Sequence, residues 1–438
     1  GLLHQLEDDE IAVICAAELG HLVTWDFALM SGLVLLAQVP YLIYWQVAVW
    51  GDRQQAFVWR SFAAGISSFS YGFYWVIRSA GLWLSRLRIH YSDRTAIECT
   101  GNPNGLTRAL LKIAVGMAAD VQQQGQTSQL LESFDVLMPV GHQTALTLGS
   151  TYVSAPVQDL LTWDRNNPYR HWLTVNNAHP LMGDRLQLLE SCARYWKLDT
   201  QLDWGEAKSA KPPRRFHSWR AMFNYWQPLL HQGSPFFGIP IGLVLVVLVW
   251  LLGGILGWLG WYRLEWLYGD RSILKGLLLL GFGLGTWLRI NPFFPDIRPA
   301  SAAVHSDWLK LTMNPQGLPV HAAPVRLQGK LLGRSGMRNW LGQDLMLQTE
   351  TGLVKLHYLS QLGPIGNLFS RSTRPVQLVG QTLIATGWFR RGATNWIDLE
   401  KMQSQVGKVC CAQHPMWSTI LGGMAILWGI YIIYRGDF

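Results

Sequence analysis

Charge is scarce in this sequence. Asp, Glu, Lys and Arg make up 15% of its 438 residues, where soluble domains carry about a quarter. Cysteine is scarce as well. The five present, Cys15, Cys99, Cys192, Cys410 and Cys411, are odd in number and contain no C-x-x-C pair. That excludes a complete disulfide framework and a cysteine zinc knuckle, and it leaves free thiols in a reducing compartment. No G-x-x-x-x-G-K phosphate loop and no G-x-S-x-G nucleophile elbow occurs, so neither P-loop nucleotide hydrolysis nor elbow-type serine hydrolysis has a motif to rest on. Acidic residues are the rarer sign, 28 against 36 basic, for a net charge of +8. An anionic partner follows. In a chain this apolar the anion is the lipid headgroup surface, and nucleic acid is not expected.

Apolar residues are what the chain has in excess, 49% of the total with 23 Trp, a residue that favours membrane interfaces. Five runs approach or exceed the roughly 20 residues needed to cross a bilayer. They are 27–50, with Pro40 inside, and 61–84, which Arg60 and Arg78 flank or enter. The others are 236–262, free of charge, 273–288, whose Lys275 can snorkel, and 416–434. In 61–84 the small residues Gly65, Ser67, Ser68 and Gly72 suit close helix packing in lipid. The alternative for this first pair is a buried hairpin of a soluble protein; length and aromatic ends favour a membrane hairpin.

Between the two hairpins the composition is that of a soluble segment. Helix is predicted over 85–120, broken at Gly101-Asn102-Pro103-Asn104-Gly105, and again over 157–163 and 183–195. Residues 208–215 form a basic, Pro-broken linker, and Trp219, Phe223 and Trp226 recur at the spacing of an interfacial amphipathic helix. From 304 to 408 the pattern alternates instead. Strands are predicted at 325–333, 344–349, 353–358, 377–388 and 396–399, with turns such as Arg390-Arg391-Gly392 between them. Together they predict a small antiparallel β-barrel of OB-like size. Its Arg334, Arg338, Arg390 and Arg391 mix with Trp340, Trp388 and Trp396. Such a face suits single-stranded nucleic acid or anionic lipid, and the neighbouring membrane helices favour lipid or a protein partner. Two hairpins and a final helix put the soluble parts on one side. Arg86, Arg88, Lys208, Lys211, Arg214, Arg215, Arg289 and Arg298 crowd that side, which the positive-inside rule makes cytoplasmic.

The chemistry is concentrated near the start. Asp8-Asp9-Glu10 followed by apolar residues predicts a helix with acidic residues at its positive end. It closes on Ala17-Glu18-Leu19-Gly20-His21, the zinc-protease pattern H-E-x-x-H with alanine for its first histidine. Two histidines four residues apart share a helical face and offer two imidazoles to one ion. A carboxylate from a second helix completes three ligands, and the motif glutamate deprotonates a metal-bound water.

Further strings accompany it: Gly1-Leu2-Leu3 with Glu10-Ile11-Ala12-Val13, Ser85-Arg86-Leu87-Arg88 with Asp93, Thr100-Gly101-Asn102-Pro103 running into Ala109-Leu110, and Ala178-His179-Pro180 with Arg185. In this order and spacing they resemble the HtpX-type family of membrane zinc metallopeptidases, relatives of the CAAX prenyl proteases, over about residues 1–195. The resemblance implies a helical, zincin-type metalloendopeptidase domain acting in proteolysis of membrane or misfolded proteins, with zinc as the cofactor of active relatives. It also implies roles. Glu18 stands where the catalytic base stands, and His21 where one zinc ligand stands. Ala17 and Ile89 occupy the positions of the other two ligands. Asp93 occupies that of a residue supporting the ligands, and His179 that of a group near the substrate. Two of three ligands are thus apolar, so zinc is expected to be absent or weakly held. His90 adjoins Ile89 but points about 100° away on a helix, and Glu98 lies too far along it.

The expected organisation is a mainly α, polytopic membrane protein. A zinc-motif-like helix occupies 1–26, a transmembrane hairpin 27–84 and a cytosolic metallopeptidase-like domain 85–233. A second transmembrane hairpin occupies 234–299, a β-rich OB-like domain 300–410 and a last transmembrane helix 411–438. Gly1 in place of Met suggests a start inside a longer product. The expected function is that of a catalytically impaired HtpX-like homologue in a plasma or inner membrane that binds membrane-protein or polypeptide clients. The alternatives are an active zinc metalloendopeptidase with a recruited ligand, or a membrane scaffold whose β-domain binds partner or lipid.

Overall fold

The computed structural model describes residues 5–202, 218–293, 307–360, 374–413 and 416–436. The basic linker at 208–215 lies outside them. The chain divides into two compact units. One comprises Gly1–Pro212, Ala302–Tyr358 and Pro364–Ala412, and the other Pro213–Ser301, Leu359–Gly363 and Gln413–Phe438.

The first unit opens with α1 (Asp8–Val23), whose first turn holds Asp8, Asp9 and Glu10. Glu10 is fully buried. Its carboxylate accepts from the Glu7 backbone N–H at 2.9 Å, and Arg108 and Lys112 reach it at 3.1 and 2.9 Å. Both cations stand on α4 (Pro103–Gln124), so the acidic turn is pinned to a second helix as well as to the dipole. α2 (Asp26–Asp52) and α3 (Phe57–Thr100) form the hairpin that follows. α3 stops where the sequence predicts. Gly101 takes a left-handed φ of 64°, which costs a residue without Cβ little. Asn102 then caps α4 by accepting from the Gly105 N–H at 2.8 Å. The predicted helix over 183–195 is Met182–Tyr195. Val13, Ala16 and Ala17 of α1, Ala96 and Ile97 of α3, and Leu106 and Leu110 of α4 are buried in one core.

The β-rich part belongs to this same unit. β1 (Ala323–Leu332), β2 (Met346–Thr349), β3 (Gly352–His357), β4 (Thr382–Arg391), β5 (Asn395–Ser404) and β6 (Val409–Cys411) lie in the order β3-β2-β1-β4-β5-β6. β3 also pairs with β5, in parallel, which closes β1–β5 into a five-stranded barrel. Its interior is the alternate apolar set, Val325, Leu327, Leu331, Leu347, Leu356 and Phe389 among them. Two boundaries differ from expectation. Pro375–Leu378 is a 3-10 turn ahead of β4, because proline cannot donate to a ladder. β5 continues past Leu399 to Ser404, through a bulge at Glu400 opposite Thr386 and Gly387, which interrupts the alternation that the sequence reading relied on.

The second unit is helical. Trp219–Trp258 is one helix of 40 residues that runs through Pro228, Pro235 and Pro240. Trp219, Phe223 and Trp226 therefore begin a long helix and do not form a separate interfacial one. It packs on the helix Arg271–Phe293 at a glycine contact so close that a Cβ on Gly238 would lie 2.0 Å from the Gly281 carbonyl oxygen. Ser234 donates to the Gly285 carbonyl at 2.7 Å. Trp287 donates to Thr419 at 3.0 Å, tying in the helix Met416–Arg435.

Among the described residues, four helices are long and apolar enough to cross a membrane: Asp26–Asp52, Trp219–Trp258, Arg271–Ile290 and Met416–Arg435. The expected span at 61–84 is not among them. It is part of α3, a 44-residue helix that carries Arg60, Arg78, Arg86 and Arg88 along its length.

Candidate functional site

α1 and α3 cross at the motif. Ser92 on α3 donates to the Ala17 carbonyl at 2.9 Å, and one turn further a Cβ on Gly20 would lie 3.0 Å from Thr95. Small residues at 16, 17 and 20 permit this approach. Ala17 and Ile89 are both buried, at 7% and 3% exposure, so neither position offers a donor and both contribute packing. Glu18 is exposed and has no hydrogen bond or ion pair among the described residues. His90 is exposed as well.

His21 is buried and its Nδ1 lies 3.1 Å from the Asp26 carboxylate. Asp26 is brought back to it by Trp25, whose φ of 57° is left-handed and uncommon outside glycine. Thr24 completes the turn, donating to Asp26 and to the Gly20 carbonyl at 3.0 Å each. Arg88 is buried beside them. Burial pushes its guanidinium down, and the charges of Asp26 and Glu18 oppose that. Its Nη2 donates to the Val136 carbonyl at 3.0 Å.

Asp93 is occupied elsewhere. Arg185 grips it with both ends of its fork, Nε and Nη2 at 2.8 and 2.7 Å, and donates its Nη1 to the Pro139 carbonyl at 2.5 Å. Both side chains are almost wholly buried. This bidentate pair locks α3 to Met182–Tyr195.

His179 belongs to a second cluster. Its Nε2 lies 2.8 Å from the Met138 carbonyl, and burial pushes its imidazole down to about 4. Nearby, Asp135 accepts from the His142 backbone N–H at 2.9 Å, from His142 Nδ1 at 2.7 Å and from Arg78 at 2.6 Å. Burial would raise the Asp135 carboxyl, yet His142, His179 and Arg78 together hold it well below the usual carboxylate range. Trp75, Gly141 and Asn177 line the same cavity as Arg78, Asp135 and His179. Asp26, Asp135 and His142 are site residues that sequence reasoning missed. The i, i+5 spacing of His21 and Asp26 was a usable signal; the Arg78–Asp135 pairing left none.

Among the described residues, no group of three or more His, Cys, Asp or Glu side chains could hold a metal ion. The donors around His21 therefore do not fit the three-ligand zinc centre that the resemblance implies.

Comparison with known proteins supports the family reading. The sequence profile described as Peptidase family M48 matches residues 1–193. A "Protease HtpX homolog" of Methanothermobacter thermautotrophicus is 25% identical over 129 residues, 30% of this chain and 47% of that protein. Another "Protease HtpX homolog", from Aeropyrum pernix, is 24% identical over 202 residues, 44% of this chain and 60% of that protein. The chain thus spans about half the length of the curated relatives it matches. No solved structure matches. The β-barrel and the last helix lie beyond the matched domain. Over residues 1–193 the chain is thus similar to Peptidase family M48 and, within it, to the HtpX homologues.

Proposed function

We propose that this chain is a membrane-anchored M48 homologue that has left zinc hydrolysis and binds membrane-protein or polypeptide clients. The observation that carries the reading is the paired, buried, apolar occupancy of two ligand positions, Ala17 on α1 and Ile89 on α3. Two further features support it. Asp93 has both carboxylate oxygens engaged by Arg185, and His21 has a carboxylate partner in Asp26. One imidazole with scattered oxygens makes a weak and poorly selective zinc site. The helical domain is read as a zincin-type scaffold kept for binding. The strand connection β1-β2-β3-β5-β4 is read as an OB-type barrel. The apolar helices of the second unit supply the anchor, in a plasma or inner membrane with the soluble parts on the cytoplasmic side.

Zinc content and peptide cleavage of the full chain test this together. Zinc well below one per chain is expected, with no cleavage that depends on Glu18. Restoring both donors by Ala17→His with Ile89→Glu is expected to raise the zinc content. Near-stoichiometric zinc in the unaltered chain, with cleavage abolished by Glu18→Gln, overturns the proposal.

A further inference from the structure

One face of α2 is covered along nearly its whole length by water-soluble parts of its own unit. Met30 and Val34 pack with Val136 and Ala178. One to two turns on, Gln38 donates to Ser133 at 2.9 Å and Tyr41 to Glu132 at 2.9 Å. Next, the Tyr44 hydroxyl meets the Arg338 carbonyl, Ala48 packs with Met337, and Asp52 accepts from the Met337 N–H at 2.9 Å. From Met30 to Asp52 the helix rises about 33 Å at about 1.5 Å per residue, the full depth of a hydrocarbon core of about 30 Å.

α3 is covered in the same way. Tyr71 donates to the Glu132 carboxylate at 2.7 Å and Tyr74 to the Glu132 carbonyl at 2.8 Å. Glu132 in turn pairs with Arg334 of the barrel. If α2 and α3 crossed a bilayer, this barrel would lie at hydrocarbon depth. Its outer surface exposes Arg326, Gln328, Lys330 and Lys401, and charges facing lipid at that depth cost several kcal/mol each.

The opposite face has no such cover. Leu36 and Ile43 of α2 and Phe62, Phe69 and Val76 of α3 are 45–75% exposed. Exposed tryptophans stand at both ends of the hairpin, Trp25 and Trp83 at one and Trp50 and Trp59 at the other; a hairpin lying in the membrane plane would keep all four at headgroup level, where Trp is favoured. Arg53 and Arg60 are exposed beside the turn, where anionic headgroups would meet them.

We infer that the α2–α3 hairpin meets the bilayer side-on, its outer face set among the acyl chains of one leaflet and both helices lying along the membrane plane. The hairpin is then a broad membrane-reading surface, and only the helices of the second unit cross. This is independent of whether zinc is bound. Embedding of about 5–10 Å is what an interfacial helix reaches, and it leaves the covered face in water.

Depth and sidedness test it on the full chain, in a background lacking the native cysteines. Single nitroxides are placed by Leu36→Cys, Ile43→Cys, Phe62→Cys, Phe69→Cys and Val76→Cys, and their depth in vesicles is read from collision with oxygen against a water-soluble nickel chelate. All five are expected at one similar, shallow depth. In a crossing helix, by contrast, positions 36 and 43 would differ by about 10 Å. In sealed membrane vesicles Gln55→Cys is expected to react with an impermeant maleimide from the same side as Lys401→Cys on the barrel. Depths that run through the midplane, or labelling of position 55 from the opposite side, overturn the inference. So do labels shielded from both oxygen and nickel, which would mean that protein covers this face. Each site is surface-exposed, and unchanged melting of each variant shows that it folds.

Discussion

Two polar centres of the first unit differ in kind. At the α1–α3 crossing, Glu18 is exposed and unpaired, His21 rests on a local carboxylate, and Asp93 is bound by an arginine. These are separate residues, each with its own partner or none. At the junction of hairpin and barrel, Glu132 receives Tyr41, Tyr71 and Arg334, while Arg334 also donates to Tyr44 and to the Thr127 carbonyl at 3.2 Å each. That network is closed and buried. Burial would raise the Glu132 carboxyl, and Arg334 with the Tyr71 hydrogen bond more than offsets it. Catalytic centres keep groups poised and incompletely satisfied, whereas structural centres satisfy them. The junction is therefore where this unit concentrates its buried polar bonding.

Breaking the closed network is the largest expected effect. Arg334→Met strands a buried carboxylate among tyrosines, and removing one partner of such a pair typically costs about 3–5 kcal/mol. Thermal unfolding of the full chain is expected to begin far lower, with early proteolysis in the barrel; melting within a degree or two of the parent would show that the network carries no load.

A smaller effect concerns His179. Its imidazole titrates near 4 when folded against an ordinary 6.5, so the unfolded chain takes up the proton first as pH falls. The stability this provides is complete above about pH 6.5 and is lost toward pH 4, a change of about 3 kcal/mol. Asp164, which burial pushes up to about 6, works in the opposite sense over about pH 4–6. The difference between the parent and His179→Gln removes that contribution and is expected to isolate the histidine. Parallel stability–pH curves for the two proteins would contradict it.

The smallest effect is expected at the motif itself. Glu18 makes no hydrogen bond or ion pair among the described residues and acts only through its charge on Arg88, so Glu18→Gln is expected to leave the melting temperature almost unchanged. A clear stabilisation or loss would reveal a partner for the carboxylate and reopen the site.

Local signals were legible. The acidic first turn of α1, the break at Gly101–Gly105 and the alternation of β1 and β4 are written in neighbouring residues, whose periodicity decides which face is apolar. The motif was legible for the same reason, since Ala17, Glu18 and His21 lie within five positions. The hairpin is where a linear reading falls short. A run of apolar residues with tyrosines and an arginine on one side has the length of a span. Only contact with residues 132–135 and 334–338, about 50 to 300 positions away, shows what those polar groups are for.

By itself the sequence determined most element types and the likeness to Peptidase family M48 over residues 1–193, because each is a property of local pattern. The tertiary structure decided the rest: that Asp26 turns back onto His21, that Arg185 takes Asp93, and that Arg334 enters a cage of tyrosines and Glu132 on the covered face of the hairpin. A buried polar group must find a partner wherever the chain brings one, and that requirement acts through space, not along the sequence.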